Sequence, residues 1–528
     1  MRVSARRTTR RKTKRGYCGV LTGNTVSGQK ARPDPGGMFG KEYHTVSLKQ
    51  KTFNALAWSF VDSFANQGIQ FIVGIVLARL LTPKEFGLIG MVLVFTAISE
   101  SFIDSGFSGA LIRKKNCGQE DYSTVFYFNL AVGILLYLVL FILAGSISRF
   151  YKEPKLVGLI RVLALGVIIS SLGLTQRTIL TRNINFKLLA RISIISSVVS
   201  GTAGIGMAYY GWGVWSLVWK TLCQNFVVLC LLWIWNKWKP LFAFSAKAFQ
   251  EMFSFGSKLL ASGLIDTAYK NIYYLIIGKY FSAASLGYYT RANQFTGIPS
   301  ACLTGVIGRV AYPVLASIQD DEGKLKVGYK KLIKCTMLIS FVLMIGMAAT
   351  AKSMVMTLIG GKWLPCVPYL QLLCFVGMLY PLHALNLNIL NVKGRSDLFL
   401  RLEIVKKMLA VPIIIVGTWL GIKTMIMGMI VLSFITYFLN SYWSGQLIGY
   451  PMKEQIGDIF PSFISAGAMG VTVFLVGYFL PSIEPVLVLF VQITIGALII
   501  LVIARFCRLE AYSDINEIVL ARLCRKIV

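Results

Sequence analysis

Leu77–Gly87 reads LARLLTPKEFG, and Ile277–Gly287 reads IGKYFSAASLG. The two stretches lie 200 residues apart and correspond position by position: Arg79 with Lys279, apolar Leu81 with Phe281, Gly87 with Gly287. The same offset pairs Phe53 with Phe253, Asn66 with Asp266 and Gln70 with Lys270. Each stretch closes a long apolar segment just before a second one begins. The chain therefore reads as two like-oriented halves inside a membrane-spanning pattern, an arrangement typical of transporters with a site between repeats.

Composition agrees. Of 528 residues, 55% are hydrophobic and 14% charged, where a soluble domain carries about 25% charged residues. Apolar runs of about 18 residues or more recur along almost the whole chain, which marks an all-α polytopic membrane protein. We read about fourteen spans, the first near 53–80 and the last near 485–506. Turn chemistry separates them at Thr82-Pro83, Gly211-Trp212-Gly213, Gly360-Gly361 and Tyr450-Pro451. The organisation expected is a basic, disordered extension at 1–37, a six-helix lobe at 38–240, a second at 241–450, and two further helices with a tail at 451–528. The extension, with RRTTRRKTKR, has no apolar core and is no secretory signal; Met38 is the expected true start.

A net charge of +32 does not point to nucleic acid, because no soluble basic domain exists to dock it. The basic residues mark topology instead. Loops holding Arg113, Lys114 and Lys115, or Lys330, Lys331 and Lys334, alternate with loops about threefold poorer in Lys and Arg. The richer set is expected to be cytoplasmic, with both termini. Six spans per half bring both halves in from the same side, so the repeat is parallel rather than inverted. The ten cysteines form no CxxC pair, and the two histidines are His44 and His383. A metal site or Ser-His-Asp triad has little support; no catalytic residue and no cofactor are expected.

Charged groups at mid-membrane cost about 2.5–3.5 kcal/mol each and usually face a bundle interior or wet cavity. Span 1 carries Asp62, Asn66 and Gln70 at spacing four, a stripe along one helix face. Span 7 carries Lys258, Ser262, Asp266 and Lys270 at the same spacing, with Asp266 and Lys270 also readable as a neutralising i,i+4 pair. Span 2 adds Glu100 and Asp104, span 6 Lys220, and span 8 Arg291. Buried cations suit an anionic cargo, since pyrophosphate oxygens accept charge-assisted hydrogen bonds. The candidate cargo residues are Lys220, Lys270, Arg291, Asn66 and Gln70. The embedded acids Asp62, Glu100, Asp104 and Asp266 are candidates for binding a coupling proton or sodium ion. His383, amid Asn386, Asn388 and Asn391, reads as a buried hydrogen-bonded group.

Several stretches carry a family resemblance. VLARLLTPKEFGLIGMVLVF (76–95), DSGFSGALIRKK (104–115), LIRVLALGVIISSLG (159–173), RTILTRNINFKLLARI (177–192) and NIYYLIIGKYFSAASLGYYTRANQF (271–295) resemble the Wzx-type polysaccharide flippases, in the branch of colanic-acid-exporter-like lipopolysaccharide biosynthesis proteins. The likeness spans about residues 47–450. It implies the multidrug/oligosaccharidyl-lipid/polysaccharide (MOP) exporter fold, two six-helix lobes in a V. It also implies movement of undecaprenyl-pyrophosphate-linked oligosaccharide across a bacterial cytoplasmic membrane, with a polysaccharide polymerase complex as a possible partner. A multidrug antiporter on the same fold is the alternative; it would favour an acidic or aromatic cavity. A polymerase or ligase would need a larger outer loop, and a scaffold would not need polar residues deep in matching helices.

Overall fold

The computed structural model describes residues 48–104, 106–480 and 483–517. The basic extension expected at 1–37 lies outside the described residues. Among the described residues the secondary structure is helical, with no strand. A lipid interior leaves backbone N–H and C=O groups no partner but each other, which helices satisfy within a single segment.

The first group of helices comprises α1 (Leu48–Leu80), α2 (Pro83–Asp104), the short α3 (Phe107–Arg113), α4 (Gln119–Tyr151), α5 (Leu156–Leu163), α6 (Leu165–Arg182), α7 (Phe186–Tyr209) and α8 (Val214–Asn236). The second comprises α9 (Ala246–Tyr280), α10 (Ala283–Val306), a π-helical turn (Ile307–Ala311), α11 (Tyr312–Ser317), α12 (Glu322–Ala349), α13 (Ala351–Ile359), α14 (Cys366–Gly377), α15 (Tyr380–Val392), α16 (Ser396–Leu420) and α17 (Ile422–Ile448). Then come α18 (Met452–Phe479) and α19 (Pro485–Phe506). Among the described residues, twelve helical segments are long and apolar enough to cross a membrane. The sequence reading counts α9 and α16 as spans as well. At 35 and 25 residues both are long enough, but α9 holds Lys258, Asp266 and Lys270, and α16 holds Arg401, Glu403, Lys406 and Lys407.

The two groups break their helices at matching places. The second span of each is interrupted, from α2 to α3 at Gly106 with φ 69° and from α10 to α11 through the π-helical turn. The fourth span is interrupted too, at Ala164 between α5 and α6 and at Met378–Leu379 between α14 and α15. Internal repetition, first visible as a weak sequence echo, thus recurs as a sequence of like elements.

The glycines of the opening stretches explain themselves by packing. A Cβ at Gly87 would lie 1.7 Å from the Ala283 carbonyl oxygen, and a Cβ at Gly287 would lie 1.9 Å from that of Pro83. Pro83 and Ala283 are themselves 200 residues apart. The first turns of α2 and α10 therefore cross reciprocally, each glycine admitting the other helix's backbone. Around the crossing, the segment after α13 folds over the end of α1. Trp363 is fully buried and its indole N–H donates to the Ala78 carbonyl at 2.8 Å. Lys362 Nζ donates to the Arg79 carbonyl at 2.7 Å, and Arg79 Nε donates to the Leu358 carbonyl at 2.8 Å. Burial pulls the Lys362 ammonium's pKa below the usual lysine value, against a smaller opposing effect of Glu85.

α9 packs along α2, α3 and α4. Phe249 stacks on Phe107 at 5.9 Å and lies 5.1 Å from Phe128, ring centre to ring centre. α18 is joined to α12 by ion pairs. Lys330 reaches Glu454 at 3.2 Å and Asp458 at 3.0 Å, and Lys334 reaches Asp458 at 3.1 Å. Lys331 pairs with Asp514 at 2.8 Å, which ties the segment after α19 to the same face. Large apolar side chains such as Phe490, Val502, Phe506 and Trp419 are exposed, as expected of a surface whose solvent is lipid.

Candidate functional site

A cavity of about 530 Å³ lies among α1, α2, α6, α7 and α8, with one residue of the π-helical turn reaching into it. Its position follows from helix geometry. Asp62 and Asn66 sit one turn apart on α1, Glu100 and Asp104 one turn apart on α2, and all four line it. From Gly87 to Asp104 is roughly 25 Å along α2 at helical rise, so the cavity is at the end of the helix opposite the glycine crossing.

Five charged side chains line the cavity: Asp62, Glu100, Asp104, Arg177 and Arg309. Among the described residues none of the three carboxylates forms an ion pair with Lys or Arg, and Asp62 Oδ1 has no hydrogen-bond partner. Arg309 is held on the wall itself, donating to the lining residue Ser63 at Oγ, 2.9 Å away, with its guanidinium 5.0 Å from the Phe60 ring centre. The rest of the wall is rich in short polar groups, including Ser59, Ser193, Ser196 and Gln224.

A hydrogen-bonded row continues behind this wall. Asn66 Oδ1 accepts from Ser197 Oγ. Gln70 Nε2 donates to Gln224 Oε1 at 3.1 Å, and Lys220 Nζ donates to Gln70 Oε1 at 2.8 Å. Lys220 is half-buried and packs its stem on α7, where a Cβ at Gly204 would lie 2.8 Å from the Lys220 Cβ. The row links the cavity residues Asn66 and Gln224 to a lysine that does not itself line the cavity.

The remaining candidates lie elsewhere. Arg291, 5% exposed, sits beside the sealed end. It donates to the Gly74 carbonyl at 3.0 Å and to Gln294 Oε1 at 2.6 Å, and its guanidinium is 4.0 Å from the Phe86 ring centre and 5.8 Å from that of Trp363. Lys270 is exposed and pairs with Asp266 at 2.7 Å, while Lys407 approaches Asp266 at 3.6 Å. Of the readings open for those two, the neutralising i,i+4 pair is the one the geometry contains. His383 is buried and shares a hydrogen bond with Ser433 Oγ at 3.1 Å. The structure thus gathers Asp62, Asn66, Glu100 and Asp104 on one cavity, places Gln70 and Lys220 behind it, and separates Lys270, Asp266 and Arg291 from it. Sequence reasoning passed over Gln224, although the Gln224-Asn225 dipeptide stands out in an otherwise apolar span.

Comparison with known proteins places this geometry. Residues 76–368 match the family described as polysaccharide biosynthesis protein. The teichuronic acid biosynthesis protein TuaB of Bacillus subtilis is 27% identical over 434 residues, covering 81% of this chain and 89% of TuaB. The lipopolysaccharide biosynthesis protein WzxC of Escherichia coli is 27% identical over 378 residues, covering 70% of this chain and 76% of WzxC. Among solved structures, the lipid II flippase MurJ superposes with a TM-score of 0.68 at 13% identity, covering 86% of this chain and 99% of MurJ. A multidrug resistance MATE family transporter of the MOP superfamily superposes with a TM-score of 0.54 at 14% identity, covering 75% and 94%. At such identities the superpositions speak for the fold, and it is the one the sequence resemblance implies. With more than half of its length matched, the chain belongs to the polysaccharide biosynthesis protein family, on the fold of MOP-superfamily transporters.

Proposed function

We propose that this chain is a transporter of surface-polysaccharide biosynthesis rather than an enzyme. In this reading it flips undecaprenyl-pyrophosphate-linked oligosaccharide across the bacterial cytoplasmic membrane by alternating access. The observation that carries the proposal is the opposition of two ends. At one, α2 and α10 interlock through Gly87 and Gly287 under Trp363. At the other lies a polar cavity of about 530 Å³. By the distribution of loop Lys and Arg the cavity end is cytoplasmic, as are both termini. Cargo would enter there, and parting of the glycine crossing would release it outward. The family match and the names of the relatives support the polysaccharide setting.

Lys220, tied to the cavity wall through Gln70 and Gln224, is our first choice for a pyrophosphate oxygen once Gln70 lets it go. Arg291 is held at the seal in this state, and its carbonyl and aromatic partners on α1 and α2 would leave it if those helices moved away from α10. For ion coupling, Asp62, Glu100 and Asp104 share one water-accessible site, whereas Asp266 already has cationic partners.

The carboxylates also favour the second reading, export of amphipathic cations. Two experiments separate them. In cells deleted for the gene and complemented with wild type or Lys220→Ala/Arg291→Ala, the leaflet position of lipid-linked oligosaccharide is read with a membrane-impermeant glycan-modifying probe on spheroplasts. Inner-leaflet accumulation in the deletion and in the double variant is the expected result. Normal outer-leaflet delivery in a deletion strain lacking other flippases would reject the flippase reading, and raised resistance of a pump-deficient host to cationic drugs would favour the antiporter.

A further inference from the structure

The segment joining α8 to α9, KWKPLFAFS over 237–245, plays no part in the transport reading. It is irregular backbone, yet many of its polar groups are taken by side chains of α4 and α6. Gln119 donates to the Lys239 carbonyl at 2.6 Å and accepts from the Trp238 indole N–H at 2.8 Å. Gln176 donates to the Trp238 carbonyl at 2.8 Å. The Leu241 N–H donates to Ser123 Oγ at 2.9 Å, and the Ser245 N–H to Thr124 Oγ1 at 3.0 Å. Pro240 has no N–H to place, and the Ala243 N–H turns back to the Leu241 carbonyl at 2.8 Å. Backbone outside a helix is tolerated at membrane depth only where protein satisfies its polar groups in this way.

We infer that this strap is a docking site for anionic phospholipid, with Phe242 set among acyl chains and Lys237, Lys239 and Lys247 on the phosphates. Depth carries the first half. α4 begins at Gln119, and its apolar run VFYFNLAVGILLYLVLFILAG over 125–145 starts just after Thr124. The strap sets out beside Gln119, while the Phe242 ring stacks on Tyr127, 6.0 Å from centre to centre. Tyr127 lies roughly 12 Å along the helix from Gln119. The strap thus runs from the polar end of α4 to the edge of its apolar stretch. There Phe242 is fully exposed, with Leu241 and Phe244 exposed beside it. Charge carries the second half. Lys237 and Lys239 precede the apolar tip and Lys247, in the first turn of α9, follows it; all three are exposed. Among the described residues none of them has a carboxylate partner, and Glu251, one turn beyond Lys247, is held by Lys114 at 3.2 Å. An apolar middle between cationic ends is the pattern of a segment lying in a membrane interface. By the distribution of loop Lys and Arg, the leaflet is the cytoplasmic one. The inference does not depend on the cargo.

The test uses the full-length protein in phosphatidylcholine nanodiscs, with a fluorophore on Phe244→Cys in a background without other cysteines. The probes are phosphatidylglycerol or phosphatidylcholine carrying a nitroxide high on one acyl chain. Both should quench the fluorophore, and phosphatidylglycerol should do so at least about fivefold more effectively per molecule, the worth of one lysine near an anionic surface. Lys237→Gln/Lys239→Gln/Lys247→Gln should bring the two lipids level while keeping the quenching by both. Equal quenching by the two lipids in the parent overturns the inference, with no further variant required. So does a preference for phosphatidylglycerol that survives in the monodisperse triple variant. Quenching by aqueous iodide and by neither lipid would put the strap in water; that result also overturns the inference and leaves the exposed phenylalanines to a protein partner.

Discussion

A single methyl group at Gly87 should push the protein out of the sealed arrangement. In Gly87→Ala the new Cβ would lie 1.7 Å from the Ala283 carbonyl oxygen, so the two helices must part by 1.3 Å merely to reach 3.0 Å. The opposing atom is backbone and cannot rotate away. Overpacking of this kind costs about 1–3 kcal/mol or more, and relief is available only by separating α2 from α10. Alanine's better helix propensity returns up to about 1 kcal/mol, but it does so in both states and leaves the difference between them unchanged. The sealed form should therefore lose roughly 5- to 150-fold in population relative to the unsealed one. Gly287→Ala, at 1.9 Å from the Pro83 carbonyl, should act alike. The two effects should not add, since one crossing is relieved once. The assay is maleimide labelling of Ala78→Cys, a fully buried position at the seal, in a background without other cysteines. Faster labelling is expected with either glycine replaced, and parental labelling with Gly145→Ala or Gly206→Ala, where nothing lies within 4 Å of the added atom. If Gly87→Ala labels no faster than the parent, the crossing is not a state-dependent contact and the reasoning fails.

Trp363→Ala should also unseal this end, since it removes a fully buried indole and its bond to Ala78. A loss of about 3–5 kcal/mol in the sealed state should appear as rapid amide exchange across 355–366. Lys334→Met should lower the unfolding temperature, because Asp458 loses a partner at 3.1 Å. Asp458 keeps Lys330 and the Tyr450 hydroxyl, so the loss should fall below the roughly 3–5 kcal/mol of a wholly orphaned buried partner, and Asp458→Asn in the same chain should recover part of it. Lys114 gives a pH test: its bond with Asp121 at 3.0 Å, aided by Glu251 at 3.2 Å, raises its pKa above the usual lysine value of 10.5. A raised lysine contributes fully below that value and loses its contribution as pH rises through the folded pKa. Lys114→Met should therefore be less stable than wild type by under about 1 kcal/mol at pH 7, as for a partly exposed pair, and the gap should close only above about pH 10.5.

Much of the architecture was legible because a bilayer constrains sequence through length and apolarity, which survive divergence even where identity does not. The echo at Gly87 and Gly287 proved to be a reciprocal contact because a backbone crossing tolerates no side chain on either helix at the crossing. The four-residue spacing of Asp62 and Asn66, and of Glu100 and Asp104, found the cavity because helical periodicity fixes a face. Depth alone could not place Arg291. Within a span a cation can face a cavity or an aromatic ring, and here Phe86 and the Gly74 carbonyl hold it. The repeat also misled in one respect. Asp266 and Lys270 match Asn66 and Gln70 by offset, yet α9 lies along α2 and its stripe satisfies itself and Lys407. Equivalent positions in a repeat share a helix face, but not the neighbour that face meets.

Purified protein in proteoliposomes tests the central claim most directly. The substrate is an undecaprenyl-pyrophosphate oligosaccharide carrying a dithionite-bleachable fluorophore on its terminal sugar, placed in both leaflets. Bleaching beyond the outer-leaflet half, at a rate that rises with protein per vesicle and falls with Lys220→Ala, is the result this account predicts. Bleaching that stops at the outer-leaflet half, in vesicles whose protein is folded and inserted in both orientations, would contradict it.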